Sequence, residues 1–239
     1  MKLIGLVCCC FLFFSAAAYA DDAATFKGML VLANKGDAEA QYHVGMMYNN
    51  GIGTAQDPKQ AFGWFEKSAA SNDALGAFKL GCYYAGQFPG VVETDEHEAL
   101  KYKLVSAKAG YSLAQHDVAV HYARSGNFEE AVTWLKLASA QGLDLSLYGL
   151  SSLYHDGKGV PKDLSLAFVY LTLAAQVSET NLKDKAKALL DDMGAQMSPS
   201  DYDKAQKMIA EWTPQLTALT IKAKGGITEA EEYLQKMKE

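Results

Sequence analysis

Histidine is the first residue type to question, because imidazole can ligate a metal or move a proton near neutral pH. The chain has five, at His43, His97, His116, His121 and His155. His97-Glu98 begins like the helix of a zinc protease, but Lys101 stands where the second imidazole is needed. His116 and His121, five residues apart, fall on divergent sides of a helix, and the others are scattered. No Ser-x-x-Lys or Gly-x-Ser-x-Gly element supplies an activated serine. Gly51-Ile-Gly53 and Gly157-Lys-Gly159 lack the remainder of a phosphate loop. The chain is therefore expected to have no catalytic residue, no metal site and no cofactor.

Charge narrows the partners. Lys and Arg total 22 against 28 Asp and Glu, a net charge of −6, and Arg124 is the only arginine. A nucleic-acid surface needs clustered basic residues, so that class is excluded, and anionic membranes are disfavoured for the same reason. At the start of the chain, Lys2 precedes an apolar run over residues 3–14 and then Ala18-Tyr19-Ala20. This order reads as a signal peptide cleaved after Ala20. The apolar stretch is short of the roughly 20 residues of a membrane span, and no other stretch is a candidate. Cleavage would remove Lys2, Cys8, Cys9 and Cys10, leaving Cys82 as a single thiol that cannot close a disulfide within the chain. The expected location is the periplasm or the medium.

The elements that position these side chains repeat. Ala40 to Tyr48 carries Val44-Gly45 and ends in tyrosine; Gly76 to Tyr84 carries Leu80-Gly81 and does the same. Ala114 to Tyr122, with Val118-Ala119, and Ser146 to Tyr154, with Leu150-Ser151, follow the pattern. The closing tyrosines are 36, 38 and 32 residues apart, a period of helical repeats. After each tyrosine comes a loop, then a capping residue, an alanine four residues later and an aromatic three beyond that. The sets are Asp57, Ala61, Trp64; Asp95, Ala99, Tyr102; Asn127, Ala131, Trp134; and Asp163, Ala167, Tyr170. Asp57-Pro58 is a cap before a first-turn proline, and Asp95 to Glu98 has capping-box spacing. Small residues recur farther on, at Ser68, Ser106, Ala138 and Ala174, where they permit close helix approach.

At these residues the chain resembles the Sel1-like repeat family, a branch of the tetratricopeptide-like helical repeats. The resemblance implies an all-α, right-handed solenoid of helix-turn-helix repeats. Four repeats are expected at about 36–72, 73–110, 111–142 and 143–178, after a half-repeat at 21–35. The third copy departs from the pattern, with Ala119 for glycine and a short loop before Asn127. Members of the family are generally adaptors or binding proteins. A disulfide-rich bacterial subgroup linked to penicillin-type compounds has paired cysteines that this chain lacks, so its activity is not carried over.

Residues 179–239 read as a helical cap and a charged tail helix. Residues 182–193 and 199–212 carry apolar stripes that cover the last repeat face, as a solenoid end requires. Thr228 to Glu231 opens a final helix with only Ala230, Tyr233, Leu234 and Met237 to bury, so loose attachment is expected. In tetratricopeptide-like stacks one side of each first helix lines a concave groove. By that resemblance the groove residues are Tyr42, Met46, Asn49; Phe78, Cys82, Ala85; His116, Val120, Ala123; and Tyr148, Ser152, His155. Arg124 and Asn50 flank them. The column Tyr42, Phe78, His116, Tyr148 offers one ring per repeat to a partner, or else packs between repeats. The expected function is an exported, monomeric, non-enzymatic scaffold that binds a protein or peptide through this face. The alternatives are a periplasmic protein that binds or hydrolyses cell-wall fragments or β-lactams, and a secreted effector acting on a host or rival protein.

Overall fold

The structure is a computed structural model that describes residues 8–179 and 182–237. Among them it has twelve helices and no strand. The helices are α1 (Cys8–Asn34), α2 (Ala38–Asn50), α3 (Pro58–Ala70), α4 (Ala74–Tyr84), α5 (Glu96–Lys108) and α6 (Ser112–Arg124). They continue as α7 (Phe128–Ala140), α8 (Asp144–Asp156), α9 (Leu164–Val177), α10 (Leu182–Gln196), α11 (Pro199–Glu211) and α12 (Ala218–Lys236). Two compact units result: residues up to Tyr102 together with those from Lys222 onward, and residues from Lys103 to Ile221. In the first, α1 packs on α2, α2 on α3 and α3 on α4. In the second, α6 pairs with α7 and α8 with α9, while α7 packs on α8 and both α10 and α11 pack on α9.

Helix starts follow the capping residues of the sequence. The Asp57 carboxylate accepts from the amides of Lys59 and Gln60 at 3.0 Å each, with Pro58 in the first turn. Asp95, Asn127 and Asp163 accept amides in the same way at the second helices of the other copies. Each such cap contributes about 1 kcal/mol. Helices α2 and α8 end on left-handed glycines, Gly51 and Gly157, each at φ 71°.

Gly53 and Gly159, two residues farther on, have a different reason to be glycine. A side chain on Gly159 would collide with the backbone of Phe128, the first residue of α7, and one on Gly53 with the backbone of Asp22 in α1. The same loop therefore lands on the start of the preceding second helix in both places. Asp22 occupies the position in α1 that Phe128 occupies in α7, which makes the segment after residue 20 equivalent to a second helix of the repeat.

Small residues set the helix spacing. Ala61, Ala131 and Ala167 have no exposed surface. A Cβ on Gly45 would stand 2.6 Å from the Phe65 ring, so α2 and α3 meet there without a side chain between them. In the fourth copy Ser151 takes that position and its hydroxyl donates to the carbonyl of Ala167 at 2.8 Å. The closing tyrosines stack on the aromatic of the second helix: Tyr84 on Tyr102, with centroids 5.9 Å apart, and Tyr154 on Tyr170, at 5.6 Å. Burial of this apolar surface, at roughly 25 cal/mol per Å², is the main stabilising term.

Helices α10 and α11 cover α9 with Ala186, Met193, Ala205 and Ile209. The chain then turns at Pro214 and runs beside the turns that end the repeats. The Gln215 amide donates to the carbonyl of Ala140 at 2.7 Å. Gln141 is a hub: its Oε1 accepts from the hydroxyl of Thr220 at 2.6 Å, and its Nε2 donates to the carbonyl of Gly110 at 2.9 Å. The tail, expected from its few apolar residues to be loosely attached, packs within the first unit through one buried residue. Ala230 is fully buried among Met29, Ala33, Ala40, Val44 and Met47, with Ile227, Tyr233 and Leu234 packed around it. The tail covers an apolar face of the half-repeat and α2.

Candidate partner-binding surface

Positions equivalent in the repeat are not equivalent in exposure. Tyr42 and Phe78 retain 7% of their surface each, whereas Tyr148 retains 48%. Met46, Cys82, His116, Val120, Ala123 and His155 are half-buried, and Ala85, Arg124 and Ser152 are exposed. Each unit therefore presents this face differently.

In the first unit Tyr42 packs beside Phe65, with centroids 6.3 Å apart, and beside His43 at 5.2 Å. Asn49 is buried, and its Oδ1 accepts from the Tyr83 hydroxyl at 2.9 Å. Its Nδ2 donates to Oδ1 of the exposed Asn50 at 2.8 Å. Asn49 is thus a tether between α2 and α4. Tyr42, Met46 and Asn50 are brought together, around a cavity of about 70 Å³ shared with His43, Lys222 and Ile227.

In the second unit the face is open. Leu113, His116 and Val120 lie at helical spacing on α6, and Leu145, Tyr148 and Ser152 occupy the matching places on α8. His116 Nδ1 stands 2.9 Å from the Ser146 hydroxyl, which joins the two helices. Leu145 is 55% exposed, and Leu113 is exposed beside it in the pattern. Tyr148 on the same helix as Leu145 is also exposed, so α6 and α8 together expose two leucines and a tyrosine. Burial holds the His116 imidazole below its usual range, against the opposing charges of Asp117 and Asp144. Asp117 itself pairs with Lys103 at 2.6 Å.

The sequence reading did not place Glu39, Lys222, Ala230 and Tyr233 on this surface. Lys222 Nζ pairs with Glu39 Oε2 at 2.7 Å, and the Tyr233 hydroxyl donates to Asp37 Oδ2 at 2.8 Å. Burial raises the pKa of Glu39, but the nearby His43 ring and the hydrogen bond and charge of Lys222 outweigh it and leave the carboxyl below its usual range. The signal that could have found these residues was the apolar stripe Ala230, Tyr233, Leu234, which needs a cover that its periodicity does not name. Among the described residues, no three His, Cys, Asp or Glu side chains stand together as a metal site. Among the described residues no helix is long and apolar enough to cross a membrane.

Comparison with known proteins agrees with this architecture. The Sel1 repeat matches four times, at residues 38–73, 74–111, 112–143 and 144–177. A sel1-like repeat-containing protein of Acanthamoeba polyphaga mimivirus is 32% identical over 130 residues, which is 54% of this chain and 23% of that protein. The chain thus spans about a quarter of the length of that relative. The crystal structure of a Sel1 repeat protein from Oxalobacter formigenes superposes with a TM-score of 0.66 at 22% identity, covering 80% of this chain and 79% of the other. A protective antigen of uropathogenic Escherichia coli displaying an SLR fold gives 0.50 at 19% identity, covering 90% of this chain and 59% of that one. Sel1 repeat proteins are generally scaffolds for protein interaction and typically non-catalytic. Four matched repeats spanning more than half of its length make this chain a member of the Sel1 repeat family, with an all-α helical-repeat fold.

Proposed function

We propose that this chain is an exported, non-enzymatic scaffold that binds a protein or peptide partner through the first-helix face of its repeats. The carrying observation is the open patch of Leu113, Leu145 and Tyr148 on α6 and α8. Scattered exposed leucines are ordinary, but Leu113 and Leu145 stand at matching repeat positions, and Tyr148 is three residues along the same helix from Leu145. Tyrosine gives large contact area for little lost rotamer freedom, and so anchors interfaces. Export is supported by Lys2, the apolar run over residues 3–14 and Ala18-Tyr19-Ala20. The mature protein begins at Asp21, and N-terminal sequencing of envelope or medium fractions tests it: a retained leader refutes cleavage.

The binding role is tested by crosslinking capture and mass spectrometry with the full chain and with Leu145→Ala/Tyr148→Ala. Both side chains are exposed, so the variant should melt like the parent and lose the captured partner. A folded variant that captures the same partner as the parent refutes this face.

A further inference from the structure

The tail and the repeat helices meet on a seat that is only partly satisfied. Of residues 222–237, Ala230 alone is buried. Ile227, Tyr233 and Leu234 keep part of their surface, and Met237 beyond them is 52% exposed. Two polar clasps hold the tail, Lys222–Glu39 and Tyr233–Asp37, and both are only partly buried. Between the tail and α2 remains the cavity of about 70 Å³, edged by Tyr42, Met46, Asn50, Gly226 and Ile227. His43 also lines it, is 3% exposed, and has no hydrogen-bond partner for Nε2. The nearest carboxylate oxygen, on Glu39, is 3.9 Å away. A buried polar atom without a hydrogen bond is unfavourable. Gly226 interrupts α12 at φ 58° and ψ −126°, so the segment is hinged where it passes the cavity.

These features describe an occupant that fits its seat incompletely: a small alanine at the centre, a glycine beside an unfilled space, and an imidazole nitrogen that it leaves without a hydrogen bond. We propose that the face of α1 and α2 under residues 222–234 is a recognition site for an amphipathic helix of a partner protein, with the tail as its built-in competitor. The partner helix carries a basic residue for Glu39, an apolar side chain larger than Gly226 to fill the cavity, and a polar group that reaches His43 Nε2. This deepens the scaffold role proposed above and presupposes it. A tethered segment competes at an effective concentration in the millimolar range, so it masks the site against weak ligands and yields to better-fitting ones.

The probe is a labelled synthetic peptide of residues 218–237, titrated by fluorescence anisotropy into the full chain. Two variants unseat the tail. Ala230→Glu places a carboxylate at the buried contact, and Lys222→Glu/Tyr233→Phe removes the polar clasps while keeping the aromatic ring at 233. Both unseated chains should bind the peptide at least tenfold more tightly than the parent, and a peptide carrying Lys222→Glu should lose that gain. Hydrogen exchange should show the tail released while the amides of α2 stay protected. Equal affinity for parent and unseated chains overturns the proposal. So does loss of α2 protection together with the tail in the clasp variant, because the segment is then part of the fold and not an occupant. The outcomes separate from those for the open patch. If the peptide binds the unseated chains while Leu145→Ala/Tyr148→Ala captures as the parent does, the patch fails and the seat stands. If the patch variant loses capture while the peptide ignores unseating, the seat fails and the scaffold role stands.

Discussion

The tether between Asn49 and Tyr83 allows a quantitative test of the packing between α2 and α4. Tyr83 has no exposed surface, and its ring is flanked by Phe62, Phe65 and Phe88 with centroids 5.6, 5.9 and 5.0 Å away. Tyr83→Phe keeps those ring contacts and removes only the hydroxyl, which leaves Asn49 Oδ1 buried without its donor. Burial, then the charge of Asp57, pushes the Tyr83 phenol above its ordinary range, so it remains a donor at any working pH. Stranding a neutral buried group costs about 1–3 kcal/mol, so Tyr83→Phe should destabilise by roughly 2 kcal/mol. Asn49→Ala should cost a similar amount, because it strands the hydroxyl instead. In the double variant neither partner is stranded, so the losses should fall short of their sum by about 1–2 kcal/mol. For a chain of this length each kcal/mol moves Tm by about 2–4 °C. Urea titration followed by tryptophan fluorescence reports the first unit through Trp64. Strict additivity, within about 0.5 kcal/mol, would falsify the tether.

Two further perturbations probe the repeats. Trp64→Ala, at a buried position on α3, should cost roughly 3–5 kcal/mol, against about 1 kcal/mol for Asp57→Ala at the cap; equal effects in denaturant melts would contradict the packing described. The His116 imidazole titrates below its ordinary value, so between pH about 6.5 and the lower folded value the unfolded chain holds more protons. Its contribution is therefore complete above that ordinary value and is lost as pH falls. Comparing urea midpoints at pH 7.5 and 5.5, His116→Gln should show the smaller drop, and an unchanged drop would refute the assignment.

Local chemistry in the sequence determined a large part of this protein. Asp57, Asp95, Asn127 and Asp163 mark helix starts because a carboxylate or amide oxygen caps amides two or three residues away, within one turn. Gly51 and Gly157 end helices because a left-handed residue is needed there. Recurrence of these signals at a fixed period identifies stacked helix pairs, since one pair cannot bury its own apolar face. The register of the repeats, the alanine-lined contacts and the capping role of Ala186 and Ile209 are consequences of that spacing.

Tertiary structure decided what each repeat position faces. Tyr42 and Tyr148 hold the same place in the repeat, yet one is buried and the other half open to solvent. Exposure depends on what a distant segment does, and residues 222–234 cover α2 from 180 or so positions downstream. The stripe of Ala230, Tyr233 and Leu234 states that a face must be buried, but periodicity carries no information about which other face receives it. Asn49 is similar: its place on α2 suggested a groove, and only the approach of Tyr83 from α4 turns it into a buried acceptor. Side-chain spacing along one helix is local, whereas the meeting of two faces is a property of the folded chain.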